Sequence, residues 1–438
     1  MEWYFAGALL IGTVLVLMAC GVPVALAFIV ADVIGALVFM GGFVGLQQLI
    51  ANSTDSITVF TLVPIPLFIL MGELFFHTGL AVRVFDVLDK TFTRVHGRLA
   101  YITVLGGALF ATLSGSTIAN TAMMGEMMVP EMTKRGYKKA MALGPILGAG
   151  GLAMIIPPST IAVLLGSIGR IDVGQLLIAG VIPGFVMAAL YMIVIVARTR
   201  LDPEAAPAYA VEQLPWWEVA FLVLTRVAPM GLVIVAVVGT MLIGVATPSE
   251  AAAFGVLAVF ILAIGYRVCS WEALKKSFLG TVRISGMLLL IVIGSSTFSQ
   301  LLAFSGTVTG FLELITDAHL TPMLAMIAMF GVVFVMGMFM EQISIMLITL
   351  PIFMPIVSSM GLDPVWFGVI VLIGLETGLI TPPFGMELFA LKGVVREYAS
   401  LWEIARAGLP FLAAEVATAA LVLVFPVLAT ALIPSVTS

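Results

Sequence analysis

Between Ala111 and Pro130 the chain reads ATLSGSTIANTAMMGEMMVP, with Thr112, Ser114, Ser116, Thr117, Asn120 and Thr121 crowded around Gly115. Such a polar run in an apolar stretch breaks a membrane helix and exposes backbone groups that hydrocarbon cannot satisfy. It belongs where protein buries it or where it lines a cavity. As the tip of a hairpin it offers hydroxyls, an amide and helix N-terminal N–H groups to an anion, and free carbonyls to a cation. Close packing of small residues between helices is the plain alternative.

Two further segments point to ion chemistry. IIPPST at 155–160 and LITPPFG at 379–385 each set two adjacent prolines inside an apolar run. Proline lacks the N–H that a helix needs, so the carbonyls of the preceding turn are left free. Freed carbonyls at half-membrane depth suit a hard cation such as Na⁺, supplemented by Ser159 or Thr381. The third segment, VMGMFMEQISIMLITLPIFMP at 335–355, carries Glu341 and Gln342. A carboxylate near the bilayer middle is costly and is a functional candidate by default. It could bind Na⁺, carry a proton or accept a hydrogen bond from a substrate.

These segments are positioned by an internal repeat. Pro23, Pro130, Pro157 and Pro158 recur 225 residues later as Pro248, Pro355, Pro382 and Pro383, and Gly136 recurs as Gly361. On this register Ser116 corresponds to Glu341 and Thr117 to Gln342. A duplicated apolar chain with matched proline breaks is the pattern of a secondary transporter.

The chain is 62% hydrophobic and 10% charged, with a mean hydropathy of +1.22, which places it in the membrane class. The expected fold is all-α and polytopic, with two halves, 1–200 and 226–438. The first half predicts spans near 3–20, 23–44 and 57–78, a hairpin at 101–131, a broken span at 139–168 and a last span at 174–198. The second predicts spans near 228–246, 249–266 and 284–304, a hairpin at 326–355, a broken span at 365–391 and a final span at 408–434.

A re-entrant hairpin returns to its own side, so each half makes five crossings and the second half is inverted. Placing both termini in the periplasm puts 18 of the 19 Lys and Arg residues inside, Arg170 excepted. The organisation read from this is scaffold spans at 1–79 and 226–304, an arm helix at 80–100, transport parts at 101–198 and 326–438, a linker at 199–225 and a second connector at 305–325.

In the arm, Phe85, Leu88, Phe92, Val95 and Leu99 form one helical stripe and basic residues cover other faces. This predicts a helix lying in the interface, against membrane lipid headgroups. SWEALKKSFLGTV at 270–282 reads the same way. Asp32, Glu73, Glu126, Glu250 and Glu376 are further intramembrane acids, expected to bond neighbouring helices or a partner subunit. Cys20 and Cys269 imply no disulfide framework. There is no HExxH, GxxxxGK[ST] or GxSxG, so catalytic metal, nucleotide and serine-hydrolase chemistry are unsupported, and no enzyme is expected.

GVPVALAF, SGSTIANTA, GPILGAGGLAMIIPPS, ATPSEAAAFG, LPIFMPI and GLITPPFG together resemble the large membrane subunit of TRAP (tripartite ATP-independent periplasmic) transporters, over essentially the whole chain. The resemblance implies an elevator-type, Na⁺-coupled importer in the bacterial inner membrane. It implies two or more Na⁺ sites, no nucleotide or organic cofactor and no nucleic acid. Its partners would be a separate small subunit of four helices and a soluble periplasmic binding protein that delivers a small carboxylate.

Carried over by residue, substrate would lie against Ser114, Gly115, Ser116, Thr117, Asn120, Glu341 and Gln342. Na⁺ would be held by Ser114, Pro157, Ser159, Gly337, Met340, Thr381, Pro382 and Gly385, largely through backbone carbonyls. A stand-alone dicarboxylate or ion carrier of related inverted-repeat fold is the alternative.

Overall fold

Prolines and caps mark out the helices in a computed structural model of the chain. It describes residues 2–91, 96–114, 116–207 and 215–433, without the side chains of 81, 82, 86, 90, 91, 111, 113, 114, 315 and 316. The first half opens with α1 (Trp3–Ala19), α2 (Val24–Phe39), α3 (Phe43–Ile57) and α4 (Pro64–His77). The arm α5 (Leu80–Thr91) leads into a hairpin, α6 (Arg98–Ser114) and α7 (Thr117–Lys134). A broken pair follows, α8 (Lys139–Ile155) and α9 (Thr160–Gly169), then α10 (Val173–Ala179) and α11 (Val181–Leu201).

In the second half α12 (Trp216–Leu222) continues through a π turn, Val223–Val227, into α13 (Ala228–Leu242), followed by α14 (Pro248–Gly265) and α15 (Trp271–Phe304). The connector α16 (Thr307–Asp317) precedes the second hairpin, α17 (Pro322–Gly337) and α18 (Gln342–Ser359). A second broken pair, α19 (Pro364–Leu379) and α20 (Met386–Val395), is followed by α21 (Leu401–Val424) and α22 (Val427–Thr430). Among the described residues all regular structure is helical.

The 225-residue register reappears in the helix boundaries. Shifting α7 by that amount reproduces both ends of α18, and α8 and α9 fall within one residue of α19 and α20. Both breaks contain a proline pair joined by a cis peptide, Pro157–Pro158 and Pro382–Pro383.

The halves differ at their third element. Pro64 and Pro66 stop α3 from running into α4, whereas no proline falls between Trp271 and Phe304. The stretch 270–282 is therefore the first third of a continuous helix of 34 residues, and not a separate interfacial helix as its amphipathic pattern suggested. The arm stripe is covered by protein: Phe85, Leu88 and Leu99 are buried, and the Phe85 ring lies against Gly106 of α6. Phe92 and Val95, the middle of that stripe, lie outside the described residues.

Among the described residues, seven helices or merged helix pairs are long and apolar enough to cross a bilayer, and the α8–α9 pair, bent by 43°, makes an eighth. Shorter apolar helices include α1, α2, α17 and α19. Two helices are buried all round and sit in the middle. Every residue of α19 from Val365 to Leu379 is buried, as is α8 from Met141 to Ile155. Large apolar side chains such as Phe221, Leu232, Phe254 and Ile261 remain exposed, the surface a lipid-facing helix presents.

Candidate functional site

Each hairpin turns at a capped helix N-terminus. In the first, Ser116 is the N-cap of α7 and accepts from Ala119 N at 3.3 Å. Ser114 ends α6, and Gly115 lies outside the described residues. In the second, Glu341 is the N-cap of α18 and accepts from Ser344 N at 3.1 Å and Ser344 Oγ at 3.2 Å. The two tips are therefore built alike but differ chemically, one capped by a hydroxyl and the other by a carboxylate. A carboxylate at a helix N-terminus is favourably placed by the helix dipole, which explains how Glu341 is accommodated. Gln342 is buried beside it.

The second tip and the second break meet. Phe384 N donates to Met338 O at 3.2 Å, and the rings of Phe339 and Phe384 are 6.0 Å apart. Gly337 packs backbone against backbone on Gly378, where a Cβ would stand 2.7 Å from the Gly378 Cα. This brings residues 337–339 of the tip against 378–384 of the break. A Cβ on Gly385 would lie 2.7 Å from Leu379 O and 2.8 Å from Thr381 O, so two carbonyl oxygens converge on the space that glycine leaves. Convergent carbonyls of that kind fit a small hard cation. The Thr381 hydroxyl is already engaged, donating to Thr377 O at 2.5 Å.

At the first break, Ser159 is buried and caps α9. Its hydroxyl donates to Met154 O at 2.7 Å and accepts from Ala162 N at 3.2 Å. It thus satisfies one of the carbonyls freed by Pro157 and Pro158. Asn120 has also turned inward. It is fully buried, and its amide donates to Ala149 O at 2.9 Å and Gly107 O at 3.4 Å, fastening α7 to α8 and α6.

Acidic residues distant in sequence assemble behind the first tip. Thr117, the first residue of α7, donates to Glu376 Oε2 of α19 at 3.5 Å, and Thr121 donates to Glu387 Oε1 of α20. Glu376 and Glu387 lie near each other and Glu415 of α21 lies near both, while Glu376 Oε1, Glu387 Oε2 and Glu415 Oε2 are buried without a hydrogen-bond partner. Tyr191 of α11 donates to Glu415 Oε1 at 2.7 Å. All three carboxyl groups are fully buried. Gly150 and Gly151 of α8 make room for them: a Cβ on Gly151 would sit 2.8 Å from Glu376 Oε1, and one on Gly150 would collide with Glu387 and Thr121.

Sequence reasoning singled out Glu376 alone of these three acids. An acid within an apolar run was the signal available for Glu387 and Glu415. The other acids take plainer roles. Glu250 completes a capping box with Thr247, Glu73 pairs with His77 at 3.1 Å, and Asp32 is buried within the chain. Glu126 lines a cavity of about 320 Å³ with Gly125, Val129 and Tyr398.

With this geometry in view, comparison with known proteins is informative. A family model described as "Tripartite ATP-independent periplasmic transporter, DctM component" matches residues 11–428. The C4-dicarboxylate TRAP transporter large permease of Pseudomonas aeruginosa is 33% identical over 81% of each chain. The ectoine TRAP transporter large permease of Halomonas elongata is 28% identical over 96% of this chain and 97% of its own. The sialic acid TRAP transporter large permease of Vibrio cholerae is 27% identical over 94% of each. Among solved structures, the YdaH transporter of Alcanivorax borkumensis superposes with a TM-score of 0.63 at 13% identity, covering 86% of this chain and 88% of that one. MtrF of Neisseria gonorrhoeae gives a TM-score of 0.63 at 15% identity over 87% and 84%. These two show a shared fold only.

Proposed function

We propose that this chain, which belongs to the DctM-component family of tripartite ATP-independent periplasmic transporters, imports a small organic acid into the cytoplasm in symport with Na⁺. As a large permease of that family it is a multi-pass membrane protein and not an enzyme. The observation that carries the reading is a capped hairpin tip followed along the chain by a proline-broken span, repeated at one register. A carrier that alternates access through broken helices needs such pairs near mid-membrane.

In this reading the second half is inverted relative to the first, as the placement of basic residues supports. Substrate carboxylate is held at the Ser116-capped terminus of α7, by N–H groups and the Ser116 hydroxyl, the Thr117 hydroxyl being given to Glu376. Glu341 and Gln342 complete the cleft between the tips, and Asn120 keeps α7 in place. Na⁺ is taken up by carbonyls at the breaks, with Leu379 and Thr381 around Gly385, near Gly337, Met340 and Pro382, as one set. Ser114, Pro157 and Ser159 supply the other. Relatives named for a C4-dicarboxylate and a sialic acid carry acids, which agrees with an anion-holding tip.

Cation binding neutralises the substrate's charge and draws the broken backbone together. Only the loaded block of hairpins and broken spans then crosses, as in an elevator. A separate small subunit of four helices braces the scaffold, and a periplasmic binding protein delivers the substrate.

The test is uptake of radiolabelled succinate, sialic acid and ectoine by proteoliposomes holding this chain and its four-span partner, with Na⁺ gradient and binding protein each added or omitted. Uptake of one compound that needs both is expected. Uptake independent of Na⁺ sinks the symport reading, and uptake without any binding protein points to a stand-alone carrier.

A further inference from the structure

Two hydrogen bonds cross between the halves of the chain at a telling place. Thr117 stands at the first position of α7, directly after the cap that forms the first tip. Glu387 stands at the second position of α20, two residues beyond Gly385 and the convergent carbonyls of Leu379 and Thr381. Glu376 of α19, on the other side of that break, accepts from Thr117 and lies near Glu387. Thr121, one turn into α7, bonds Glu387 directly. Farther along the same helices, Gly125 of α7 admits Leu391 and Val394 of α20. The opening turns of α7 and α20 are thus tied by buried polar groups, and their later turns by apolar packing.

A buried polar link between two helix starts has few ways to yield. Each carboxyl group is shielded from water, and losing a partner leaves an unsatisfied group that water cannot reach. A shift of the break at 380–385 must therefore drag the start of α7 with it or break these bonds. We infer that Glu376 and Glu387 are positioning residues that link cation occupancy at the second break to the shape of the anion-holding first tip. The link runs from one repeat's cation cradle to the other repeat's substrate tip, so neither half-site is complete without the other. This rests on the Na⁺ reading given above.

The experiment uses the full chain with its four-span partner in nanodiscs, with Cys20 and Cys269 replaced and Ile118→Cys introduced. Ile118 is 38% exposed at the tip, and its replacement leaves the Ser116 cap in place. The readout is the rate of maleimide labelling in Na⁺ against K⁺, with no substrate present. The parent is expected to show a rate change of about tenfold between the two ions, within the usual range of coupling between linked sites. Glu376→Ala and Thr117→Val are each expected to reduce that difference to about twofold or less. Glu376→Gln, which keeps a carbonyl for the Thr117 hydroxyl, is expected to retain it. Thr117→Val preserves side-chain shape and so serves if Glu376→Ala does not fold.

A purely structural role lowers the melting temperature of the variants but leaves the Na⁺ effect intact, and that result overturns the inference. A parent indifferent to Na⁺ overturns the symport reading itself, and the link with it.

Discussion

Ser116 and Glu341 occupy the same position in the two repeats and perform the same local task, yet they present opposite electrostatics to whatever lies between the tips. A hydroxyl cap leaves the partial positive charge of the α7 terminus available to an anion, whereas the Glu341 carboxylate already answers that of α18. Ser116→Ala removes the cap bond to Ala119 N and should destabilise the tip by about 1 kcal/mol. On the proposed reading, in which this group holds substrate and does not drive the movement, its expected signature in the uptake assay is a raised KM with little change in maximal rate. An unchanged KM would place the carboxylate elsewhere.

A second residue-level prediction concerns Tyr137, in the loop between α7 and α8. Its hydroxyl accepts from Leu99 N at 3.2 Å, and burial pushes it from the ordinary 10 up to about 12. A raised tyrosine keeps its full contribution to stability below pH 10 and loses it only as pH climbs towards 12. Tyr137→Phe should therefore lower stability by about 1 kcal/mol, by the same amount throughout the neutral range. Thermal unfolding of wild type and variant at several pH values checks both statements. A gap between them that widens towards acid pH contradicts this account of the group.

At the scale of helices, glycine sets what can approach what. Gly337 and Gly378 bring α17 and α19 into backbone contact, and Gly150 and Gly151 admit two carboxyl groups to the face of α8. Gly150→Ala must push Glu387 or Thr121 aside in a closely packed interior, so a loss of about 1–3 kcal/mol is expected. Gly231→Ala, where a Cβ meets nothing within 4 Å, should be neutral or slightly stabilising in its helix. Comparing the two melting temperatures in one detergent decides whether the close approach, and not helix propensity, governs the outcome.

This is also where the sequence was readable and where it was not. The breaks, both hairpins and their 225-residue register were legible because proline and dense polar runs act locally, within a turn of where they stand. The buried carboxyl cluster was not, because Glu376 and Glu387 meet Thr117 and Thr121 only after the first hairpin packs on the second broken span, and Glu415 meets Tyr191 only where α21 packs on α11. Residues 270–282 misled for a related reason. An amphipathic period describes a face and does not end a helix, and no proline lies between Trp271 and Phe304 to end this one.

For the whole molecule, orientation is the property on which the mechanism turns. If the two halves are inverted, equivalent residues of the repeats must face opposite sides of the membrane. Lys134 and Ser359 suit the test, since they are the last residues of α7 and α18, are both exposed and stand at the same register. With Cys20 and Cys269 replaced, an impermeant maleimide added to spheroplasts should label Ser359→Cys and leave Lys134→Cys unmodified until the membrane is opened. The argument behind that expectation is electrostatic. The neighbourhood of Lys134 includes Arg135, Lys138 and Lys139, with Lys138 held to Asp202 at 2.7 Å, whereas the stretch beyond Ser359 carries Asp363 and no Lys or Arg. Basic loops are retained on the cytoplasmic side. Labelling of both cysteines from one side would make the repeats parallel. The two half-sites would then open to the same compartment, and alternating access by a single moving block would lose its symmetry basis.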